Sequence, residues 1–252
     1  MKKVNYFDMP TLEVYNLVLQ GELKKFPNNY LDKNTVKELV RYVVLDKYRY
    51  TREDVIEKLN HEFFQKHLLG GARIPFDKCE NEMIIYCFPE WNIKHWELRK
   101  TSPKFWMDPK NQKEFVLWVA EKEGIDLSTK EGLRSFTVAH VQKYGGHKAI
   151  KYAGGMFELL NTVNCNKYQE WEITKVASWS DEKIIRATKW LIDKKLKYTP
   201  EQVCDIKVAD FQKYNLDGML QKGCNHSILY ALDLAYPGKY TREGIRGIRL
   251  VK

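Results

Sequence analysis

Glu38-Leu39-Val40-Arg41-Tyr42-Val43-Val44, Glu114-Phe115-Val116-Leu117-Trp118-Val119-Ala120 and Arg186-Ala187-Thr188-Lys189-Trp190-Leu191-Ile192 are three stretches of one chain that share a pattern. Apolar positions recur in each at helical spacing, so each predicts a helix packed by one aromatic-rich face. Ten residues before the aromatic of each stretch stands a good helix N-cap, Asp32, Asp108 or Ser180. An apolar residue, Leu31, Met107 or Trp179, precedes each cap, and Pro109 occupies the first helical position of the second stretch.

Working outward, a second cap follows as Thr51-x-x-Asp54, Ser128-x-x-Glu131 and Thr199-Pro200-Glu201-Gln202. The last two fit a capping box, in which the cap and the third residue satisfy each other's amides. Next come Phe64-Gln65-Lys66, Val141-Gln142-Lys143 and Phe211-Gln212-Lys213, followed by Gly70-Gly71, Gly145-Gly146 and Gly218. These glycines are expected to end a helix and turn the chain. Apolar segments then run to Phe88-Pro89 and Tyr236-Pro237, and Trp96-Glu97-Leu98 and Trp171-Glu172-Ile173 close the first two copies.

Landmarks that agree in order and spacing define an internal repeat. The expected fold is mainly α: three tandem helical repeats of about 70 residues at 32–107, 108–179 and 180–252, with 1–31 as an N-terminal capping segment. A helix from Leu12 to Phe26 is expected to cover the first copy. Large aromatics at Trp96, Trp106, Trp171 and Trp179 are expected to pack one copy on the next rather than to stack on bases.

Hydrophobic residues make up 44% and charged residues 30% of 252 residues, which predicts a folded chain and argues against disorder. The start, Met1 to Asp8, lacks the apolar run of a signal peptide, and no stretch is long enough to span a membrane. Cys79, Cys87, Cys165, Cys204 and Cys224 form no CxxC pair, so free thiols in a reducing cytoplasm are expected. Formal charge is +9, from 42 Lys+Arg against 33 Asp+Glu. That surplus favours a polyanionic partner, with a solvated basic surface as the plain alternative. By copy the surplus lies in 180–252, with 14 basic and 9 acidic residues and a basic end of Arg242, Arg246, Arg249 and Lys252.

The lead-in Glu13-Val14-Tyr15-Asn16-Leu17-Val18-Leu19-Gln20-Gly21-Glu22-Leu23-Lys24-Lys25-Phe26-Pro27-Asn28, together with Ser227 to Lys239, resembles an uncharacterised helical-repeat family of bacteria and phages. That resemblance implies a helical repeat and brings no activity with it. Phe211, Leu216-Asp217-Gly218 and Ala231-Leu232 are more loosely similar to the helix-turn-helix repeat found beside homing endonucleases, which implies DNA binding. The second copy departs from that pattern, with Val141 in place of the aromatic and Cys165 near the expected proline.

Catalytic and metal motifs are absent. Of six histidines and five cysteines only Cys224 and His226 fall close together, and zinc spacing is missing, so no metal or cofactor is expected. The glycine-rich run from Gly145 to Gly155 lacks the GK[ST] ending of a phosphate loop, and two helix ends explain it better. A non-enzymatic nucleic-acid-binding protein, with duplex DNA as the expected partner, is the leading expectation. A protein-binding scaffold or phage-type inhibitor of a host protein is the alternative. The expected nucleic-acid contacts are Arg73, Lys148, Lys151 and Lys222, opening the helix after the glycine turn, and Lys66, Lys143 and Lys213 on the helix before it.

Overall fold

The computed structural model describes residues 5–246, which form two compact units. Unit 1 comprises residues 1–111 and 141–152, and unit 2 comprises 112–140 and 153–252. The described residues are mainly helical and contain no β-strand. Arg249 and Lys252 of the basic end lie outside the described residues.

Unit 1 opens with the helix Thr11–Leu19, whose Val14, Tyr15 and Val18 are buried. It is shorter than the expected span to Phe26. The chain turns at Gly21, at φ 79°, a left-handed conformation that favours glycine. Four helices follow, Lys33–Arg41, Arg52–Lys58, His61–Lys66 and Glu80–Cys87, the first continuing as a π-helical turn over Tyr42–Lys47. Unit 2 shows the same order in Asp181–Lys189, a π-helical turn Trp190–Leu196, Pro200–Val203, Val208–Lys213 and Ile228–Ala235. Between these series lie Pro109–Glu123, Lys130–Ser135, Val138–Lys143, His147–Ala153 and Met156–Asn164.

The caps explain the starts of these helices. Asp32 accepts from Thr35 N and Ser180 from Lys183 N, while Asp108 Oδ1 accepts from Lys110 N at 2.8 Å. Thr51 and Asp54 form a full capping box, as do Thr199 and Gln202. In the middle series the box expected at Ser128 and Glu131 does not form. Thr129 is the cap and accepts from Gly132 N, while Ser128 N donates to Asp126. Asp126 takes the Ser128 amide that Glu131 would accept in that box.

Helix ends depart further from expectation. Gly145 (φ 75°) ends Val138–Lys143 in left-handed backbone as expected, but Leu68 (φ 56°) and Asn215 (φ 60°) hold that place in the other series. Leu69 N bonds Phe64 O at 2.8 Å and Leu216 N bonds Phe211 O at 2.9 Å, closing the same wide turn in both.

Beneath the caps the same five positions of the long helix are buried in each series. They are Val36, Leu39, Val40, Val43 and Val44; Gln112, Phe115, Val116, Val119 and Ala120; and Ile184, Ala187, Thr188, Leu191 and Ile192. The marker aromatics Tyr42, Trp118 and Trp190 are half-buried beside them. Thr188 stands where the other series have valine, and its hydroxyl is fully buried with no hydrogen-bond partner among the described residues. Thr188→Val is therefore expected to stabilise the fold by about 1 kcal/mol, measured by urea unfolding, because it removes a polar group that burial leaves unsatisfied. A loss of stability would mean that the hydroxyl has a partner.

The Trp-Glu sequences close each unit's core. Trp96 and Trp171 are buried, and the carboxylates beside them hold other segments. Glu97 accepts from Lys94 N at 2.8 Å and pairs with Arg52 at 2.8 Å. Glu172 accepts from Gln169 N at 3.0 Å and pairs with Lys130 at 3.1 Å and Lys195 at 3.5 Å. Packing extends through the last described residues of unit 2. Ile245 is buried, Arg246 N bonds Cys204 O at 2.8 Å, and the Arg246 guanidinium lies 3.5 Å from Asp205.

Candidate nucleic-acid interface

Unit 1 contains a cleft of about 1080 Å³. The turn Ile74–Phe76 and the helix Glu80–Cys87 supply Arg73, Phe76, Glu80, Glu82 and Tyr86 to its lining. Lys33 comes from the first long helix and His61 from the third. The loop and short helix ahead of Pro109 add His95, Lys100, Lys104, Phe105 and Asp108. Asp77 and Lys78, both in left-handed backbone, carry the chain between the turn and the helix.

Five cations line this cleft: Lys33, Arg73, Lys78, Lys100 and Lys104. Among the described residues none makes an ion pair with a carboxylate within 4.0 Å, whereas Arg41 and Arg52 of the same unit are paired with Glu90 and Glu97. Lys33 instead sits 5.3 Å from the centre of the Phe76 ring. Glu80 is half-buried, and its carboxyl is pushed above the usual carboxylate range by loss of water, opposed by the charges of His61, Arg73 and Lys100. All four side chains line the same cleft. Glu82 lies 3.4 Å from His95 Nε2, and the His95 ring stacks on Phe105 at 4.5 Å. Tyr86 keeps 38% of its surface exposed, with its hydroxyl fixed to Asn34 Oδ1 at 3.0 Å and its ring 5.3 Å from Phe76.

The expected contacts separate by unit. Arg73 is on the cleft itself, half-buried. Lys148 Nζ donates to Thr101 O at 3.3 Å, which ties it to the segment bearing Lys100 and Ser102. Lys66, Lys143 and Lys151 are exposed in unit 1 but do not line the cleft, and Lys143 lies 5.3 Å from the ring of Tyr144. Lys213 and Lys222 are exposed in unit 2, Lys213 at 5.6 Å from the ring of Tyr214. Arg73 and Lys222 do not open a long helix. Arg73 precedes the three-residue turn Ile74–Phe76, and Lys222 ends the π-helical turn Met219–Gly223. The longer helices beyond carry Glu80 and Glu82, Glu158, or Asp233 and no Lys or Arg, so they themselves supply no cation for a phosphate. Lys33, Lys78, Lys100 and Lys104 escaped sequence reasoning because only the folded chain brings their separate segments together.

Two other features settle into structural roles. Gly155 adopts φ 149°, and a Cβ there would meet Glu158 Oε2 at 2.5 Å, so a carboxylate already occupies the helix start after the glycine run. Cys224 is buried while His226 is exposed, and among the described residues no three His, Cys, Asp or Glu side chains gather as metal ligands. Burial pushes the Cys87 thiol up to about 12 and that of Cys224 to about 11, which makes both poor nucleophiles.

The fold and cleft together define a mainly helical protein with a basic and aromatic recess in its first unit. A family model described as a protein of unknown function (DUF4046) matches residues 11–93, from the first helix through most of the cleft-lining segments. No curated protein matches the chain. No solved structure does either. Among the described residues no helix is long and apolar enough to cross a membrane.

Proposed function

We propose that the chain is a non-enzymatic nucleic-acid-binding protein built from tandem helical repeats, with its principal interface on unit 1. The cleft carries this reading, because five cations that have no carboxylate partner among the described residues line it together with the exposed ring of Tyr86. Unpaired cations bind phosphates at no cost of breaking an ion pair, and each phosphate neutralised releases condensed counterions. Charge distribution supports it too. Unit 1 holds 22 Lys+Arg against 16 Asp+Glu and unit 2 holds 20 against 17, because the segment 141–152 brings Lys143, Lys148 and Lys151 to unit 1 with no acid. The resemblance of the third copy to a DNA-binding helix-turn-helix repeat points the same way, and duplex DNA and single strands are both partners to test.

Nearly constant offsets, 76–78 residues from the first series to the second and 70–72 from the second to the third, support the three-repeat organisation. The four helices begin at 33, 52, 61 and 80 in the first series, at 109, 130, 138 and 156 in the second, and at 181, 200, 208 and 228 in the third. Bacterial or phage origin and a cytoplasmic setting belong to the same proposal, the latter supported by five thiols outside any disulfide.

Fluorescence anisotropy with labelled oligonucleotides at graded salt tests the reading. Binding is expected to weaken steeply with salt, with a slope implying about three to five phosphate contacts. Arg73→Ala and Lys100→Ala should each flatten that slope by about one unit, while Lys213→Ala with Lys222→Ala should change it less. Failure to bind single-stranded DNA, duplex DNA or RNA at about 50 µM protein in low salt would sink the proposal, at affinities weaker than ordinary non-specific binding. A protein-binding scaffold would then take its place.

A further inference from the structure

We infer that the unit 1 cleft seats one unpaired, amino-bearing nucleotide of a single strand, with its phosphate at Arg73 and Lys100 and its base edge at Glu80. This rests on the nucleic-acid reading above and narrows it to a strand type and a base class.

Shape comes first. A duplex turns its bases inward and offers a convex face of phosphates and groove edges, whereas a side-chain-lined recess of about 1080 Å³ receives a projecting group. On a nucleic acid that group is a base in a single strand, a loop or an extruded position. Charge comes second. A surface that only tracked phosphates would exclude carboxylates, yet Glu80, Glu82, Asp77 and Asp108 share the cleft with the five cations. Glu80 is the half-buried one, and its carboxyl lies in the field of His61, Arg73 and Lys100. A ligand entering there must present an anion to the cations and an N–H donor to the carboxylate. A nucleotide does both best when its base has an exocyclic amino group projecting from its edge, as cytosine, adenine and guanine do, whereas thymine and uracil offer only a ring N3–H flanked by two carbonyl oxygens that a carboxylate repels. Stacking surface comes third. Tyr86 is held by Asn34 and Phe76 yet stays 38% exposed, so it presents a fixed aromatic surface in the same cleft as the carboxylate.

The test compares oligo(dC), oligo(dA) and oligo(dT) of about twelve residues with a duplex of the same length, within the usual site sizes of single-strand binders. Oligo(dC) and oligo(dA) should bind about tenfold tighter than both oligo(dT) and the duplex, a difference of one good base contact. Glu80→Gln should bring the dC to dT ratio within about threefold while leaving the salt slope unchanged, since no phosphate contact is lost. Tyr86→Leu should weaken every single strand by about tenfold and spare the ratio. Circular dichroism confirms that each variant is folded. Equal binding of duplex and single strands, or an unaltered base ratio in a folded Glu80→Gln protein, overturns the inference and leaves the wider nucleic-acid reading standing. Absence of binding to every oligonucleotide overturns that wider reading instead.

Discussion

Trp171→Ala is expected to cost about 3–5 kcal/mol of stability, the range for truncating a large buried aromatic. Trp171 is 2% exposed and packs between Trp179 at 6.2 Å and Trp190 at 5.4 Å, with the Arg186 guanidinium 5.5 Å from its ring. Alanine would remove one of the two edge-on partners of the Trp190 ring, leaving Tyr214, and open a void beside Ile184 and Leu191, which belong to the same buried cluster. Trp171→Phe should lose far less. Its ring refills most of the space, and the indole N–H it removes is buried without an acceptor. Guanidinium unfolding of both variants decides the matter, and a loss below about 1 kcal/mol in the alanine variant would show that the site collapses around the deletion.

Glu172→Gln is expected to cost about 2 kcal/mol at neutral pH and almost nothing in acid, the range for a charge-assisted hydrogen bond whose lysine partners keep some access to water. The Glu172 side chain is 6% exposed, while Lys130 and Lys195 are 30% and 36% exposed. Burial alone pushes the Glu172 carboxyl up. The Gln169 amide and the ammonium groups of Lys130 and Lys195 outweigh it, so the net position is below the ordinary value of 4.5. A depressed carboxyl pKa contributes stability that is present above the unfolded value and disappears as pH falls through the folded one. The wild-type and Gln proteins should therefore differ at pH 7 and converge as the pH drops below the usual carboxylate range. Parallel stability curves across that interval would remove Glu172 from the account.

Helix starts and the buried face were legible because caps and apolar spacing are local signals. Asp32, Asp108 and Ser180 stand where expected, and the five core positions of each long helix follow the spacing around Tyr42, Trp118 and Trp190. Helix ends were less legible. Glycine is the obvious residue for left-handed backbone, but Leu68 accepts that strain at 49% exposure while Gly70 and Gly71 lie past the turn. The ion pairs of Glu97 and Glu172 were hidden for another reason. Arg52–Glu97 and Lys130–Glu172 each join segments more than 40 residues apart, and the adjacent tryptophan drew attention to packing alone. Of the cleft, only Arg73 was singled out. Charge patterning along a helix shows which residues are solvated, but convergence of Lys33, Lys100 and Lys104 depends on tertiary turns such as the left-handed Asp77-Lys78 pair.

The path of the chain between the two units bears on how the protein is made. Val141–Tyr152 belongs to unit 1, although residues 112–140 of unit 2 are synthesised before it. A ribosome that has released residue 111 has not yet delivered all of unit 1, so this unit cannot close ahead of the rest in the usual N-terminal-first order. Early residues of unit 2 emerge while the first core is still short of a segment. Nor does any single cut yield an intact unit: a fragment ending at Asn111 lacks Val141–Tyr152, and one beginning at Ala153 lacks 112–140. Deletion mapping of binding on this protein should therefore proceed by substitution within the full chain.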